Sequence, residues 1–268
     1  MNLFLTKCQS KGWCYSSLMM SLGIIRKIIL FAKQNGHVSD LEFTPAKIKK
    51  NSSKVKALTL HESKIINSSL STVKRKGDLA ILIALNTGLR VGEVCSLRWK
   101  DIDLKRRMIN VSGTVHRVKC TDCSSKTKLE LHSPKTVSSK REVPISGFLC
   151  SILAKYTAED EVFVISCSAE KIPEPRSIQR HFSKFCNSTF GKKISFHCLR
   201  HTFATLAISK GVDVKTVSEI LGHASIVTTM NIYRNVSFED KTQAVNILEK
   251  YITPKVKKQK VKASVKSA

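Results

Sequence analysis

The chain has 268 residues, of which 42% are hydrophobic, so it can form one large domain or one domain with a small neighbour. It carries 46 Lys and Arg against 20 Asp and Glu, a formal charge of +26, which argues against a merely soluble basic protein and favours nucleic acid as the partner. Nine cysteines, an odd number scattered along the chain, argue against a disulfide framework and for reduced thiols in a cytoplasmic protein.

The first predicted element is a helix over residues 15–34, which ends near Asn35-Gly36, where glycine can adopt the left-handed conformation of a helix stop. Its apolar stretch SSLMMSLGIIRKIILFA is broken by Arg26 and Lys27. We therefore expect an amphipathic helix, too short and too interrupted to span a bilayer, and no membrane partner. The basic residues 36–57 predict a linker, whose run KIKKNSSK suits a solvated segment and a phosphate-backbone contact equally well.

The second unit begins with a capping box, in which Glu62 follows Thr59 by three residues. The run KGDLAILIALNTG is apolar nearly all round, which predicts a buried helix that ends at Gly88. Three runs rich in alternating or β-branched residues, MINVSGTVHRV, KLELHSPKT and REVPIS, predict one small antiparallel sheet. Further helices are expected at about 146–156, 177–190, 197–210, 213–221, 225–233 and 238–252, with Asp213, Ser225 and Ser237 as N-caps.

The chain ends in PKVKKQKVKASVKSA, which holds six lysines and no acidic residue. This composition predicts a disordered tail that either follows DNA or keeps the protein soluble. The expected fold class is therefore α+β: a mostly helical domain with one small antiparallel sheet, preceded by a short helical N-terminal segment.

Several kinds of catalytic site are absent from the sequence. No glycine-rich phosphate loop precedes a Lys-Ser or Lys-Thr pair, and no pair of acidic residues is placed to hold two metal ions. Cys120 and Cys123, with His116 and His132 nearby, have a spacing that zinc can use, but only one such pair exists and it lies on a predicted hairpin tip. Two thiols on a turn are the better interpretation, so we expect no metal and no cofactor.

Basic and imidazole side chains form the most suggestive set. Arg90 in TGLRVGE follows a helix end, with Glu93 close enough to brace it, and Lys135 in HSPKT lies between two strand-like runs. His197 and Arg200 in FHCLRHTFAT are three residues apart on one helical face. The set is completed by His223 in LGHAS and, ten residues later, Tyr233. Alone, each of these residues is more often a surface charge or a structural group.

Taken together, these residues can hold a phosphodiester without a metal. The planar fork of arginine binds two phosphate oxygens at once, and two preorganised arginines stabilise a pentavalent phosphorane. Tyr233 can then attack phosphorus and hold the strand as a covalent ester. Because a phenol titrates near pH ~10, this attack needs a base or a strong positive field, and the cluster offers both.

The ordered set TGLRVGE, PKT, HCLRHTFAT, LGHAS and NIYRNV resembles the catalytic domain of the tyrosine recombinases of the phage-integrase type. The likeness extends over roughly residues 57–253. It implies a site-specific recombinase that cuts and rejoins DNA through a 3′-phosphotyrosyl intermediate, without ATP or metal. Double-stranded DNA would be the substrate, bound by a homotetramer on paired sites, with accessory DNA-bending or directionality factors as further partners.

The resemblance also implies roles for individual residues. Arg90 and Arg200 would clamp the scissile phosphate, and Tyr233 would be the nucleophile. Lys135 would be the general acid for the leaving 5′ oxygen. His197 would serve in acid–base work on the tyrosine, while His223 would hydrogen-bond the phosphate. Glu93 matches the structural acid near the first arginine, and we leave His201 out because it matches a structural position.

The same resemblance divides the chain into a partial helical core-binding segment (1–40), a basic linker (41–56), the catalytic domain (57–254) and the lysine-rich tail (255–268). Relatives often exchange a C-terminal helix between neighbours, a role that residues 238–252 would fill here. The core-binding segment is shorter than is usual in the family. Two alternatives therefore stay open: a DNA-binding remnant without recombinase activity, and a type IB topoisomerase-like enzyme that relaxes supercoils.

Overall fold

The computed structural model describes residues 2–38, 57–120, 126–133, 140–223 and 225–232. Lys135, Tyr233, the predicted linker, the helix expected at 238–252 and the lysine-rich tail lie outside these residues. The chain separates into two compact units, Met1–Val55 and Lys56–Ala268. The division into core-binding segment, linker, catalytic domain and tail stays a prediction.

The N-terminal unit contains two described helices, α1 (Asn2–Ser10) and α2 (Tyr15–Gln34). The predicted bounds of α2 are confirmed, and Gly36, at φ 71°, takes the left-handed conformation that follows the helix. Helix α1 was not predicted, because its weak amphipathic pattern gives little periodic signal. The two helices share a small apolar cluster formed by Leu5, Cys8, Leu18 and Leu22.

The capacity of α2 to span a membrane differs from our expectation. The helix has 20 residues, and an 18-residue window within it has a mean hydropathy of 1.4. By length and composition alone it is therefore able to cross a membrane, and the expectation that it is too short was wrong. It is the one helix in the described part of the chain that meets both conditions. This is weak evidence for a span, because a core helix or an N-terminal signal segment meets the same conditions. Arg26 and Lys27 still interrupt its apolar surface.

The second unit is built around one buried helix, α4 (Lys76–Thr87), whose side chains are apolar on nearly every face. It packs against α3 (Leu60–Leu70), α5 (Val91–Ser96), α6 (Gly147–Leu153), α7 (Pro175–Phe190) and α8 (His197–Ser209). The predicted capping box opens α3: the Glu62 backbone N–H donates to Thr59 Oγ1 at 3.1 Å, and the Thr59 backbone N–H donates to Glu62 Oε2 at 2.8 Å. Gly88 closes α4 in the left-handed conformation, as expected.

The strands within the described residues form two antiparallel sheets rather than the one expected. Strands β1 (Ile102–Asp103), β2 (Met108–Val111) and β5 (Arg141–Pro144) form a sheet in the order β1-β2-β5. Strands β3 (Thr114–Lys119) and β4 (Thr127–His132) form a separate hairpin. The run read as one strand, MINVSGTVHRV, is divided at Ser112-Gly113, because glycine weakens a strand and allows the backbone to change partners.

Two more helices, α9 (Val214–Leu221) and α10 (Ile226–Ile232), complete the described fold. Asp213 caps α9 by accepting from the Thr216 backbone N–H at 3.0 Å, as predicted. Gly222, at φ 64°, ends the helix. Because α9 contacts α8, α10 and β5, its C-terminal end meets both the helical core and the three-stranded sheet.

The cysteines depart from the expectation at one position. Seven of them are free thiols, four of them buried, while Cys120 is disulfide-bonded, so the prediction of thiols throughout was wrong there. Among the described residues, no group of three or more histidine, cysteine or acidic side chains could hold a metal ion.

Candidate active site

The candidate site forms where the loop after α4 meets the start of α8 and the end of α9. Arg200 is buried on α8, and its Nη1 donates to the carbonyl of Gly88 at 3.0 Å. Its Nη2 donates to the carbonyl of Leu221 at 2.8 Å. Gly88 has no room for a side chain, because a Cβ there would lie 2.4 Å from Leu221 Cδ2 and 2.9 Å from Phe203 Cδ1. This close approach brings the TGLR loop against α9.

Arg90 caps α5 and faces the same turn of backbone. Its Nη1 forms an ion pair with Glu93 Oε1 at 2.7 Å, and its backbone N–H donates to Glu93 Oε2 at 2.9 Å. Its Nη2 lies 3.4 Å from the carbonyl of Gly222. The side chain is 40% exposed, so donors remain available to a ligand, whereas Glu93 is buried. We call Arg90 and Arg200 the clamp arginines.

A third arginine, Arg141, completes this arrangement. From the first position of β5 its Nε donates to the carbonyl of Ile220 at 2.6 Å. Its Nη2 pairs with Glu93 Oε2 at 3.0 Å, and its Nη1 lies 3.3 Å from Glu93 Oε1. Arg141 was not predicted as a site residue, since REVPIS was interpreted only as a strand. Arg141 and the buried Val143 are two residues apart and so share one face of β5, which was the available signal, but nothing in the sequence identifies the partners of Arg141.

Three successive carbonyls, of Ile220, Leu221 and Gly222, thus accept hydrogen bonds from three different arginines. We call these carbonyls the α9 carbonyl terminus. Unsatisfied carbonyls at a helix C-terminus carry partial negative charge, which favours cationic side chains there. The α9 carbonyl terminus therefore fixes the orientation of all three guanidinium groups.

The charges of the cluster are set by burial and by one another. Burial opposes charge on Glu93, but the hydrogen bond and charge of Arg141, followed by those of Arg90, hold the pKa of this carboxyl below its usual value. Burial and the neighbouring Arg90 lower the pKa of Arg200 to about 9, which leaves it charged at neutral pH. The cluster consequently presents an excess of fixed positive charge.

Both predicted histidines lie beside the clamp arginines. His197 is the first residue of α8. Its pKa is lowered mainly by burial and then by the charges of Arg200, His201 and Arg90. The pKa of His223 is lowered to about 4, mainly by burial and then by the nearby charges of Arg200, Arg90, His197 and Arg141. His223 Nδ1 lies 2.8 Å from Thr229 Oγ1, and which atom donates depends on the tautomer. Both imidazoles are therefore neutral at physiological pH.

A basic groove leads away from the clamp arginines. A cavity of about 430 Å³ is lined by Arg90, His197 and Arg200 on one side and by residues of β3 and α7 on the other. A neighbouring cavity of about 640 Å³ continues along α7. Residues at i, i+3, i+4 and i+7 of α7 line it together with Arg117 of β3, and we call this set the groove: Arg117, Arg176, Gln179, Arg180 and Ser183. Neither the groove nor the ion pair of Arg117 with Glu174 was predicted.

The structure thus brings together four of the six predicted catalytic residues: Arg90, His197, Arg200 and His223. Glu93 braces Arg90, as the sequence predicted, but it also binds Arg141. The positions of Lys135 and Tyr233 are outside the described residues. Tyr233 follows directly after α10, whose last residue is Ile232.

The sequence of this chain is similar to those of several known proteins. Residues 48–240 match the sequence model of the Phage integrase family. A tyrosine recombinase XerC-like protein of Caldanaerobacter subterraneus subsp. tengcongensis is 26% identical over an alignment of 270 residues, which covers 91% of this chain and 68% of that protein. The integrase of Staphylococcus phage L54a is 28% identical over 186 residues, 65% of this chain and 51% of the phage protein. The chain therefore spans about two thirds of the first relative and half of the second.

The fold has a counterpart among solved structures. The integrase of the Tn1549 transposon, solved in complex with transposon right end DNA, matches with a TM-score of 0.71. The match covers 91% of this chain and 83% of the solved chain, which comprises residues 82–397 of that integrase, at 22% sequence identity. The mostly helical architecture with small antiparallel sheets is common to both proteins.

Proposed function

The chain belongs to the phage integrase family and is a tyrosine recombinase, and on that premise we propose how its side chains divide the work of cutting and rejoining DNA. Its relatives are recombinases and integrases, and a covalent tyrosine intermediate is general to the family. The observation that carries the proposal is the pair of clamp arginines, which share the α9 carbonyl terminus and face a basic groove. Arg90 and Arg200 bind the scissile phosphate and stabilise the extra charge of the phosphorane.

The reaction conserves the energy of the broken bond. The Tyr233 oxygen forms a bond to phosphorus, the bond from phosphorus to the 5′ oxygen breaks, and the DNA is left with a 3′-phosphotyrosyl ester. The tyrosine proton passes to His197, and Lys135 donates a proton to the leaving 5′ oxygen. Attack on the ester by a 5′-hydroxyl of another strand reverses these transfers, so neither ATP nor a metal ion is needed.

The lowered pKa values of the two histidines support these roles. His197 is neutral at physiological pH, so it can accept the proton of the tyrosine. His223 is neutral as well, and when the Thr229 hydroxyl donates to its Nδ1, its Nε2–H is free to donate to a phosphate oxygen. A neutral donor orients the phosphate without repelling the two arginines.

The groove supports duplex DNA as the substrate. Arg176 and Arg180 project from one face of α7 and line the larger cavity. This cavity adjoins the one lined by the clamp arginines, because the two cavities share four lining residues: Arg117, Glu174, Arg176 and Gln179. Exposed arginines bind phosphates without strict geometry, which suits the strand on either side of the cut. The net charge of +26 adds a general attraction to the polyanion.

The family also suggests an assembly. We expect a homotetramer on two paired duplexes in the cytoplasm, with residues 1–40 as core-binding segment, 41–56 as linker and 57–254 as catalytic domain. Residues 238–252 would exchange between neighbouring protomers, and accessory DNA-bending or directionality factors would select the direction. A chain that ends at Val236 should then cleave DNA as a monomer but fail to assemble into tetramers on it.

The central test is a covalent adduct. The full chain is incubated with nicked duplexes tiled across the DNA that flanks its gene, and adducts that survive denaturant are counted. We expect an adduct on at least one duplex, and its loss in Tyr233→Phe, which removes only the nucleophilic oxygen. DNA binding without any adduct would overturn the proposal in favour of a non-catalytic DNA-binding protein. Relaxation of supercoiled plasmid without site preference would instead indicate a topoisomerase-like enzyme.

A further inference from the structure

Arg141 contacts both supports of the clamp arginines, although none of the roles assigned above includes it. Its side chain is 7% exposed, so it is part of the interior of the site rather than a surface charge. One part of its guanidinium binds Glu93, which also binds Arg90. The other part binds the carbonyl of Ile220, which immediately precedes the carbonyls that bind Arg200 and Arg90.

The sharing of Glu93 matters for the charge of Arg90. Each carboxylate oxygen accepts from both arginines: Oε1 from the two Nη1 atoms, and Oε2 from the Arg90 backbone N–H and Arg141 Nη2. A buried carboxylate paired with Arg90 alone would neutralise much of the charge that a phosphate needs. With Arg141 as a second partner, Glu93 can orient Arg90 and still leave net positive charge at the site.

We propose, resting on the proposed function, that Arg141 is a positioning residue for strand transfer, which holds Glu93 and the α9 carbonyl terminus in the one geometry that aims Arg90 and Arg200 at the scissile phosphate. It acts through these two groups and not on the phosphate. A shift of this turn would also move His223, which follows Gly222 directly and whose backbone N–H donates to the Ser218 carbonyl at 3.1 Å.

The contacts require an arginine at this position. The Nε of Arg141 faces the Ile220 carbonyl at the end of α9, while its two Nη atoms face the carboxylate of Glu93 on α5. One rigid guanidinium plane thus binds three acceptor atoms in two directions. A lysine keeps the charge but offers a single ammonium group on a flexible stem. It can satisfy Glu93 or Ile220 but does not fix both with one geometry.

The experiment compares two substitutions at Arg141 with the same two at a matched arginine. Arg141→Lys keeps the charge and removes the fork, and Arg141→Gln removes the charge. Arg98 is the control, because it is also partly buried and also binds a carboxylate and a carbonyl, both of Glu161, but it lies over the ring of Phe163 outside the site. Each full-length variant is assayed on a nicked duplex that forms the wild-type adduct, with protein in excess.

The first measurement separates the chemical step from DNA binding. We expect the first-order rate of adduct formation to fall about 10-fold in Arg141→Lys and about 100-fold in Arg141→Gln. The Kd for the duplex should change less than about 3-fold, because Arg141 acts through protein groups. Combining Arg141→Gln with Glu93→Gln should slow the reaction no more than the slower single change. The Arg98 variants should react at the wild-type rate.

A wild-type rate in Arg141→Lys would overturn the proposal, and so would a loss that follows DNA affinity alone. If Arg141→Gln fails to fold, Arg141→Lys decides the question, because it retains the ion pair with Glu93. Purely structural damage would lower the melting temperature of the Arg141 and Arg98 variants alike without separating their rates.

A second measurement needs no DNA, so it distinguishes this inference from the proposed function. The pKa of His223 is followed by NMR in the free protein. Because the charges of Arg200, Arg90, His197 and Arg141 all act on this ring, Arg141→Gln should raise its pKa above the wild-type value of about 4, and Arg98→Gln should not. An unchanged value would overturn the inference even if adducts form. Failure of the wild type to form any adduct would overturn the proposed function alone.

Discussion

Two groups of arginines in this protein have different surroundings. Those at the α9 carbonyl terminus are held by backbone carbonyls and by Glu93. Arg200 is only 2% exposed, while Arg90, at 40%, keeps donors available to a ligand. Those of the groove on α7, Arg176 and Arg180, are exposed. The same side chain thus serves as a fixed part of the interior in one region and as a surface charge in the other.

This difference separates preorganisation from attraction. A buried guanidinium that is already hydrogen-bonded is held in place before DNA arrives, so no reorganisation is needed when charge develops on the phosphate. An exposed arginine loses conformational entropy when it binds. At physiological ionic strength, salt also screens its attraction to phosphates that are more than about 8 Å away. We therefore expect changes at the first region to alter rates, and changes at the second to alter salt-dependent affinity.

The largest effect should come from Arg200→Lys. The substitution keeps the positive charge but cannot bind the carbonyls of Gly88 and Leu221 while also facing a phosphate. We expect single-turnover adduct formation to fall about 100- to 1,000-fold, the usual result of losing a preorganised donor to a transition-state charge. The rate is measured at saturating duplex, so that affinity does not contribute. A rate within about 3-fold of wild type would mean that charge alone suffices.

Arg176→Ala is the matched change in the groove. It should leave the single-turnover rate at saturating duplex unchanged, while the slope of log K against log salt falls by about 1. Fluorescence anisotropy over a salt series measures this slope. If Arg176→Ala slowed the chemical step as Arg200→Lys does, the two regions would not be functionally distinct.

A second contrast uses the glycines that end a helix in each region. Gly88 closes α4 beside the α9 carbonyl terminus, and Gly191 closes α7 of the groove; both have φ near 70°, at 71° and 65°. A Cβ at Gly191 meets no atom within 4 Å, whereas at Gly88 it would collide with Leu221 and Phe203. Gly191→Ala should therefore cost about 1 kcal/mol of unfolding free energy from backbone strain alone.

Gly88→Ala should cost about 2–3 kcal/mol, because the clash is added to the strain, and it should also slow adduct formation by moving Leu221 away from Arg200. Urea unfolding of both variants, followed by circular dichroism, gives the two costs. Equal costs would show that the close approach of the TGLR loop to α9 has no energetic importance. A slower reaction in Gly191→Ala would contradict the separation of the regions.

These glycines also show what the sequence can predict. A helix stop at Gly88 follows from an apolar helical run that ends in Asn-Thr-Gly, because local conformation decides it. The contact of Gly88 with Leu221 joins residues 133 positions apart in the chain, and no local pattern encodes it. Motif residues such as Arg90 and Arg200 were found because their types and order are specific. Their carbonyl partners were not, since every residue has a carbonyl.

The errors have the same origin. Arg141 was overlooked because its importance comes from Glu93 and Ile220, which lie on two other elements. The single predicted sheet became two because strand partners are chosen by tertiary packing, while strand propensity is local. The groove was not predicted because an exposed arginine on a helix is common, and only its neighbours on β3 make it part of a cavity.

The smallest effect concerns pH. Near neutral pH, we expect the protonation of His223 in the clamp region to change less than that of an ordinary histidine. The pKa of His223 is lowered to about 4, first by burial and then by Arg200 and Arg90, whereas an unfolded histidine titrates near pH ~6.5. Between these values the unfolded chain binds a proton that the folded chain does not. Stability should therefore fall as pH is lowered through this window and be unaffected by His223 above it.

Adduct formation should likewise show no titration of His223 between about pH 8 and pH 5.5, because the ring stays neutral throughout that range. NMR of the ring, assigned with His223→Gln, should give a free-protein pKa near 4. Raising the salt concentration should weaken DNA binding through the groove but shift this pKa little, since buried charges are screened less than exposed ones. A ring that titrates near pH ~6.5 at every salt concentration would show that the arginines do not act on it, and the buried region would then respond to solvent as the groove does.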